Sequence, residues 1–215
     1  MPALKLYYFP GACSLAPHIL LNDLKLNHEV INIKDPSFTA DYGAINPKRL
    51  IPALAIDSEI ITEGPAVSTA IAQLGPASQH LLGKTPLETA RVYEWLNYLS
   101  GTLHGRGYGG LWRSERYSDD ESAREGIKAK ALLNIKESYA FVESQLKGLH
   151  AVGEQFTIVD PYMLVFYIWG KKVGVEIEKD YPKYTALVKH LLERESVRKT
   201  LEEEGLAEAV YGAKV

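Results

Sequence analysis

Cys13 is the only cysteine of the chain, and it stands in "YYFPGACSLAPHILL" between a strand-like run and a helix pattern. A thiol at the first turn of a helix meets unpaired backbone N–H groups and the positive end of the dipole. That setting lowers a thiol pKa and favours nucleophilic or thiol–disulfide chemistry. A lone cysteine is also often a small buried hydrophobe, and the local residues leave both readings open. Position 16 is Ala, so the two-thiol redox spacing is absent. In "RLIPAL", Pro52 heads a strand pattern, where it cannot donate to a ladder. A cis Ile51–Pro52 bond would explain it and would present the Ile51 N–H and C=O to a ligand; a trans proline on an edge strand is the alternative. In "TEGPA", Glu63 and Gly64 open a helix whose free N–H groups suit a ligand carboxylate, with Glu63 placed for an ammonium. An ordinary acidic helix start gives the same pattern. His104, in "SGTLHGRGYGGLW", is placed to donate to a thiolate or reacting group, or simply to complement a helix terminus. His18, His28, His80, His150 and His190 show no metal-ligand spacing, and no metal is expected.

These residues need elements to hold them. "LKLYYF" reads as a strand ended by Pro10-Gly11, and Ser14 as the N-cap of a helix in which Leu15, Ile19, Leu20 and Leu24 recur at helical spacing. "HEVINIK" alternates like a half-buried strand. "FTADYGAINP" predicts a short irregular helix ending near Gly43. "IPALAI" and "EIIT" predict a hairpin turning at Asp57-Ser58, and residues 64–74 a helix with Pro65 in its first turn. The order β-α-β-α-β-β-α fills residues 1–76, and residues 77–85 read as a linker. From residue 86 to 215 no strand pattern follows. Leu87, Val92, Trp95, Leu96, Leu99 and Leu103 repeat at helical spacing, with the glycines after His104 expected to loosen or end that helix. Residues 122–149 predict a long amphipathic helix, and "TIVDPYMLVFYIWGKKVG" a central buried one whose Thr157 and Asp160 form a capping box. Two shorter helices follow. The fold class is α+β: a mixed N-terminal unit joined to an all-helical bundle.

At 46% hydrophobic and 24% charged residues the composition is that of a soluble globular protein. A formal charge of -3 and the lack of a basic stripe argue against nucleic acid. No apolar run reaches the roughly 18 residues of a membrane span, and no secretory leader is recognised. One cysteine cannot close an internal disulfide, which points to a reducing, cytoplasmic setting.

Together these pieces resemble the cytosolic glutathione transferase superfamily over essentially the whole chain, and the resemblance implies a thioredoxin-like domain over residues 1–76 followed by an all-helical domain that forms the acceptor site. "LYYFPGACSLAPHI" and "YEWLNYLSGTLH" closely resemble the bacterial-type beta class, including its Cys and His at the places of Cys13 and His104. "INPKRLIPAL", "TEGPAV" and "FTIVDPYM" resemble the family's cis-proline segment, its γ-glutamyl anchor and its capping box. The resemblance implies that Cys13 sits at the glutathione sulfur with Ser14 and Tyr8 as auxiliary groups and His104 on the other side. It implies that Ile51, held by Pro52, pairs with the cysteinyl part, that Glu63 and Gly64 hold the γ-glutamyl end, and that Lys34 meets the glycyl carboxylate. Asn97 would reach glutathione from the neighbouring subunit of a homodimer. No cofactor is implied beyond glutathione as co-substrate.

The chain departs from the pattern in three places. Gly64 replaces a common Ser, at a cost of about one hydrogen bond, 0.5–1.5 kcal/mol. Gly105 replaces a common Lys, within a Gly-rich stretch expected to widen or loosen the acceptor wall. "AIAQLGPAS" lacks the usual aromatic after the third helix. The activity implied is conjugation of reduced glutathione to a small hydrophobic electrophile, with thiol–disulfide side activity through Cys13. Alternatives are a glutathione-dependent thiol transferase or disulfide reductase, an isomerase or dehalogenase on the same fold, and a non-catalytic binding or scaffold protein.

Overall fold

The computed structural model describes residues 2–211. Strands β1 (Leu4–Tyr8), β2 (Glu29–Asn32), β3 (Ala53–Ile56) and β4 (Glu59–Thr62) form one sheet in the order β2-β1-β3-β4. β1 and β2 run parallel, with Leu6 opposite Val30, whereas β1–β3 and β3–β4 are antiparallel, with Leu54 opposite Leu6 and Ile61. A parallel pair needs a crossover, which α1 (Leu15–Asp23) supplies. The period of two along β1 divides its side chains. Leu4, Leu6 and Tyr8 join the main core with α1 and α3 (Gly64–Leu74), while Tyr7 packs on the other face with Tyr42, Ala53 and Ala55.

One short helix falls later than expected. α2 spans Tyr42–Ile45, because the Asp41 carboxylate accepts the Gly43 N–H at 2.9 Å and starts a helix where Gly43 was expected to end one.

After Thr62 no strand occurs among the described residues. α4 (Pro86–Asn97) is capped by Thr85, whose hydroxyl accepts the Glu88 N–H at 3.1 Å. The helix does not loosen at the glycines after His104. It runs on as a π-helical stretch, Tyr98–Gly109, and a final turn, α5 (Gly110–Trp112). The physical reason is close packing against α6 (Arg124–Gln145). A Cβ on Gly107 would lie 2.8 Å from Ile135 Cγ1, and one on Gly110 would lie 2.9 Å from Ala131 Cβ. The glycines therefore bring two helices together rather than freeing the chain.

α7 (Val159–Lys172) is the buried centre of the helical part. Asp160, fully buried, accepts the Thr157 N–H at 2.6 Å through one oxygen and the Ala151 N–H at 2.8 Å through the other. α8 (Ile177–Asp180), α9 (Pro182–Leu192), α10 (Glu195–Glu203) and α11 (Ala207–Tyr211) complete the bundle. α10 crosses α1 through polar contacts: Asn22 to Thr200 at 2.9 Å, Asp23 to Arg194 at 2.7 Å, and His18 to Glu204 at 2.9 Å. One hydrophobic core runs from Leu6 through α7 to Leu201, so the two parts are packed as one body. Among the described residues no helix is long and apolar enough to cross a membrane.

Candidate active site

A cavity of about 450 Å³ opens where the sheet part meets the helical part. Phe9, Cys13, Ile51, Pro52, Glu63 and Gly64 line it from the sheet side, and His104, Tyr108, Trp112, Tyr162 and Trp169 from the helical side. Lys34, Lys48, Arg49, Arg113 and Arg116 stand around the mouth. A second cavity of about 540 Å³, between α4 and α6 at Trp95, Tyr98, Phe141 and His150, is lined by none of the candidate glutathione-site residues.

Cys13 lies just before α1 with 8% of its surface exposed, and its thiol donates to the Ile51 C=O at 3.4 Å. Burial pushes the thiol pKa up to about 12, the N–H groups of Cys13 and Ser14 offsetting only part of this and Glu63 adding to it. The expectation of a lowered thiol pKa is therefore corrected. A helix terminus supplies about 0.3–1 kcal/mol toward an anion, whereas removing an ion from water costs several kcal/mol. Ser14 occupies the cap position without capping. Its hydroxyl donates to the Phe9 C=O at 3.2 Å and accepts the Phe9 N–H at 3.3 Å, closing the turn that carries Cys13.

The Ile51–Pro52 bond is cis. The loop before it is pinned by the Tyr42 hydroxyl and the buried Asn46 amide, which donate to the Leu50 C=O at 2.8 and 2.7 Å. These bonds fix the Ile51 backbone beside Cys13. Glu63 caps the position before α3 at φ +71°, an uncommon conformation for a non-glycine residue that gathers at functional sites. Its carboxylate pairs with Lys48, whose ammonium also donates to Thr62 Oγ1 at 2.7 Å. At Gly64 an added Cβ would meet only the Tyr162 hydroxyl, at 3.9 Å, so the floor there is open. Lys34 follows β2 at the rim.

His104 projects from the π-helical stretch. Its Nδ1 shares a hydrogen bond with the Tyr162 hydroxyl at 3.3 Å, and its ring packs edge-on against Trp169 at 5.0 Å. Burial, helped by the Arg116 charge, pushes its pKa down to about 4, so the imidazole is neutral at pH 7. Burial also raises the Tyr162 phenol well above its usual value, so it keeps its proton. The cavity lining thus carries a protonated Cys13 thiol, a neutral His104 imidazole and a protonated Tyr162 phenol at neutral pH.

Three candidate residues lie outside the cavity lining: Tyr8, Ser14 and Asn97. The strand alternation turns Tyr8 toward α1, its ring 5.7 Å from His18. Asn97 is exposed at the end of α4 and donates to the Tyr93 C=O at 2.8 Å. The sequence reading missed Lys48, which stands in the same "INPKRLIPAL" that drew attention to Pro52. It also missed Tyr162 and Trp169, which lie seven apart with Phe166 between them on α7, a helix read only as apolar core. Their polar tips in an apolar run were the available signal. Trp169 Nε1 donates to the Gly11 C=O at 2.8 Å and so ties the helical wall to the turn that carries Cys13. Among the described residues no three His, Cys, Asp or Glu side chains stand close enough to hold a metal ion.

Comparison with known proteins identifies the family. Residues 112–195 match the model of the glutathione S-transferase C-terminal domain. The chain is 31% identical to glutathione S-transferase GstA of Escherichia coli O157:H7 over 209 residues, 94% of this chain and all of that protein. A Sulfitobacter glutathione transferase homologue, solved with bound glutathione, superposes with a TM-score of 0.87 at 29% identity, covering 96% of this chain and 100% of the other. A sphingomonad glutathione S-transferase complexed with glutathione superposes with a TM-score of 0.81 at 30% identity, over 94% of this chain and 100% of the other. Identity above 30% over the full length of a relative, on a shared two-part fold, settles the family: the chain belongs to the cytosolic glutathione S-transferase superfamily.

Proposed function

We propose that the chain binds reduced glutathione along the sheet wall of the cavity and joins its sulfur to a small hydrophobic electrophile held against the helical wall. The observation that carries this reading is the placing of Cys13, the Ile51 backbone and Glu63 along one wall, facing His104 across the cavity. In this reading the Ile51 backbone pairs with the cysteinyl part of glutathione. Glu63 takes the ammonium, the Gly64 N–H takes the γ-glutamyl carboxylate, and Lys34 and Lys48 face the carboxylates. The Cys13 thiol, protonated at neutral pH, exchanges the Ile51 C=O for the glutathione sulfur and donates to it. Neutral His104 supplies a second N–H. These donors favour the thiolate, whose lone pair attacks the electrophile.

Disulfide exchange through Cys13 is the slower activity in this reading. At a pKa of about 12 only about one thiol in 10⁵ is ionised at pH 7. Asn97, remote from its own cavity, would serve glutathione only across an interface, so we assign a homodimer. A reducing cytoplasm suits the free thiol.

The test is turnover of 1-chloro-2,4-dinitrobenzene and of hydroxyethyl disulfide by the parent chain and Cys13→Ala. The expected result is conjugation by the parent well above the uncatalysed rate, a weakened but measurable rate in the variant, and loss of the disulfide reaction. No conjugation by either protein would overturn the reading. Conjugation and exchange lost together would make Cys13 the nucleophile instead.

A further inference from the structure

We infer that the acceptor is an aromatic electrophile carrying a carboxylate, selected by Arg113 and Arg116; this rests on the proposed glutathione reading. The helical wall ends in an aromatic corner. Trp112 lies 4.7 Å from the Tyr108 ring and 4.9 Å from the Trp169 ring, and Tyr108 lies 5.0 Å from Trp169. The three rings pack on one another, and Trp112, 38% exposed, offers its face to the cavity as one side of a slot suited to a flat conjugated group.

The two arginines follow this corner directly. A 3-10 turn, Ser114–Arg116, closes with the Arg116 N–H on the Arg113 C=O at 2.9 Å, and residues three apart in such a turn stand on one side. The turn is anchored rather than loose: Ser114 is buried, and the Tyr117 hydroxyl donates to the Gly105 C=O.

Among the described residues neither guanidinium has a carboxylate partner. Arg49, Arg91, Arg124 and Arg194 each pair with one, whereas Arg113 donates only to its neighbour's C=O, the Trp112 oxygen at 3.4 Å. The chain as a whole has a formal charge of -3, yet Lys34, Lys48, Arg49, Arg113 and Arg116 face a single acid, Glu63, around this cavity. Lys34, Lys48 and Arg49 belong to the sheet wall and lie on the side of the two glutathione carboxylates. Arg113 and Arg116 come from the helical wall and line the same cavity as His104. In the proposed pose the two glutathione carboxylates lie on the sheet side, which leaves these guanidinia for the acceptor. An arginine is a planar, permanently charged fork matched to a carboxylate, and it stacks on aromatic faces, so both parts of the slot recognise one molecule.

A matched pair of acceptors isolates the charge: 4-chloro-3-nitrobenzoate and 4-chloro-3-nitrobenzamide. In both, the glutathione thiolate attacks the ring carbon bearing chlorine, a C–S bond forms, chloride leaves with the electron pair, and the thiol proton passes to solvent. Each kcat/KM is divided by the uncatalysed rate with glutathione, which removes the difference in intrinsic reactivity. The expected ratio, benzoate over benzamide, is about tenfold in the parent chain and near one in Arg113→Met with Arg116→Met. Lysine at both positions should recover part of it, because a point charge replaces the fork. A ratio near one in the parent, or an equal fall for both acceptors in the methionine variant, would overturn the inference, the second result assigning the arginines to the thiolate or transition state. Calorimetry with S-(4-carboxybenzyl)glutathione and S-(4-carbamoylbenzyl)glutathione gives the same discrimination without turnover. Reduced glutathione that binds, with no preference between these adducts, would sink the charge selection alone. Glutathione that fails to bind would sink both readings.

Discussion

The two walls of the cavity are built by different means. The sheet wall is backbone held in place: a cis Ile51–Pro52 bond, a positive φ at Glu63, and a loop pinned by Tyr42 and Asn46. The helical wall is side chains on continuous helix, His104 from the π-helical stretch and Tyr162 and Trp169 from α7, with the His104 ring bonded to one and packed on the other. Unusual backbone restricts which residues fit, so it marks the sequence. A helix accepts almost any long side chain, so a wall of helical side chains leaves little trace beyond hydrophobic spacing.

Breaking the foot of the helical wall should give the largest effect. Asp160→Ala leaves the buried Thr157 and Ala151 N–H groups without their acceptor, and we expect a loss of about 3 kcal/mol, or about 6–12 °C in Tm for a chain of this size, read by thermal melting. Because α7 carries Tyr162 and Trp169, activity should fall with stability.

Breaking the sheet wall should instead spare the fold. Glu63→Gln removes the expected ammonium partner, and glutathione affinity should drop about 10–100-fold with Tm nearly unchanged, as measured by calorimetry beside a melt. A matching loss of stability would mean that the strained cap, not the ligand, needs the carboxylate.

The glycines of the helical wall sharpen the comparison further. Gly107→Ala drives a Cβ toward Ile135 and should cost about 1–3 kcal/mol by overpacking. Gly101→Ala meets nothing within 4 Å and should be neutral or stabilising by up to about 1 kcal/mol. Denaturant titration of both separates close packing from looseness.

The helical wall also sets a pH dependence. The folded-state pKa of His104 is depressed to about 4 from 6.5, so the unfolded chain binds more protons between those values and stability rises with pH across that window. His104→Phe should flatten this slope between pH 4 and 6.5, while kcat/KM of the parent should show no His104 inflection between pH 6 and 8. An inflection there that disappears in the variant would place the histidine in contact with water or with charge.

The contrast between the walls also explains what the amino-acid sequence disclosed. Pro52, Glu63, Asp160 and the strand–turn–helix around Cys13 stood out because each answers a backbone demand. The order of elements along the chain and the capping box followed from the same signals. What escaped was set by tertiary context. The Cys13 pKa went the other way because burial outweighs a helix terminus, and nothing local reports burial. Tyr8 pointed to the core because strand alternation, counted from Leu6, assigns it there. The glycines after His104 read as a break, yet they serve the contact with Ile135 and Ala131, residues far along the chain.

Calorimetric titration of reduced glutathione into the purified chain tests the central claim most directly. The account requires one saturable site per chain with a micromolar to millimolar Kd, weakened in Glu63→Gln. A flat titration under conditions where the chain is folded would contradict it.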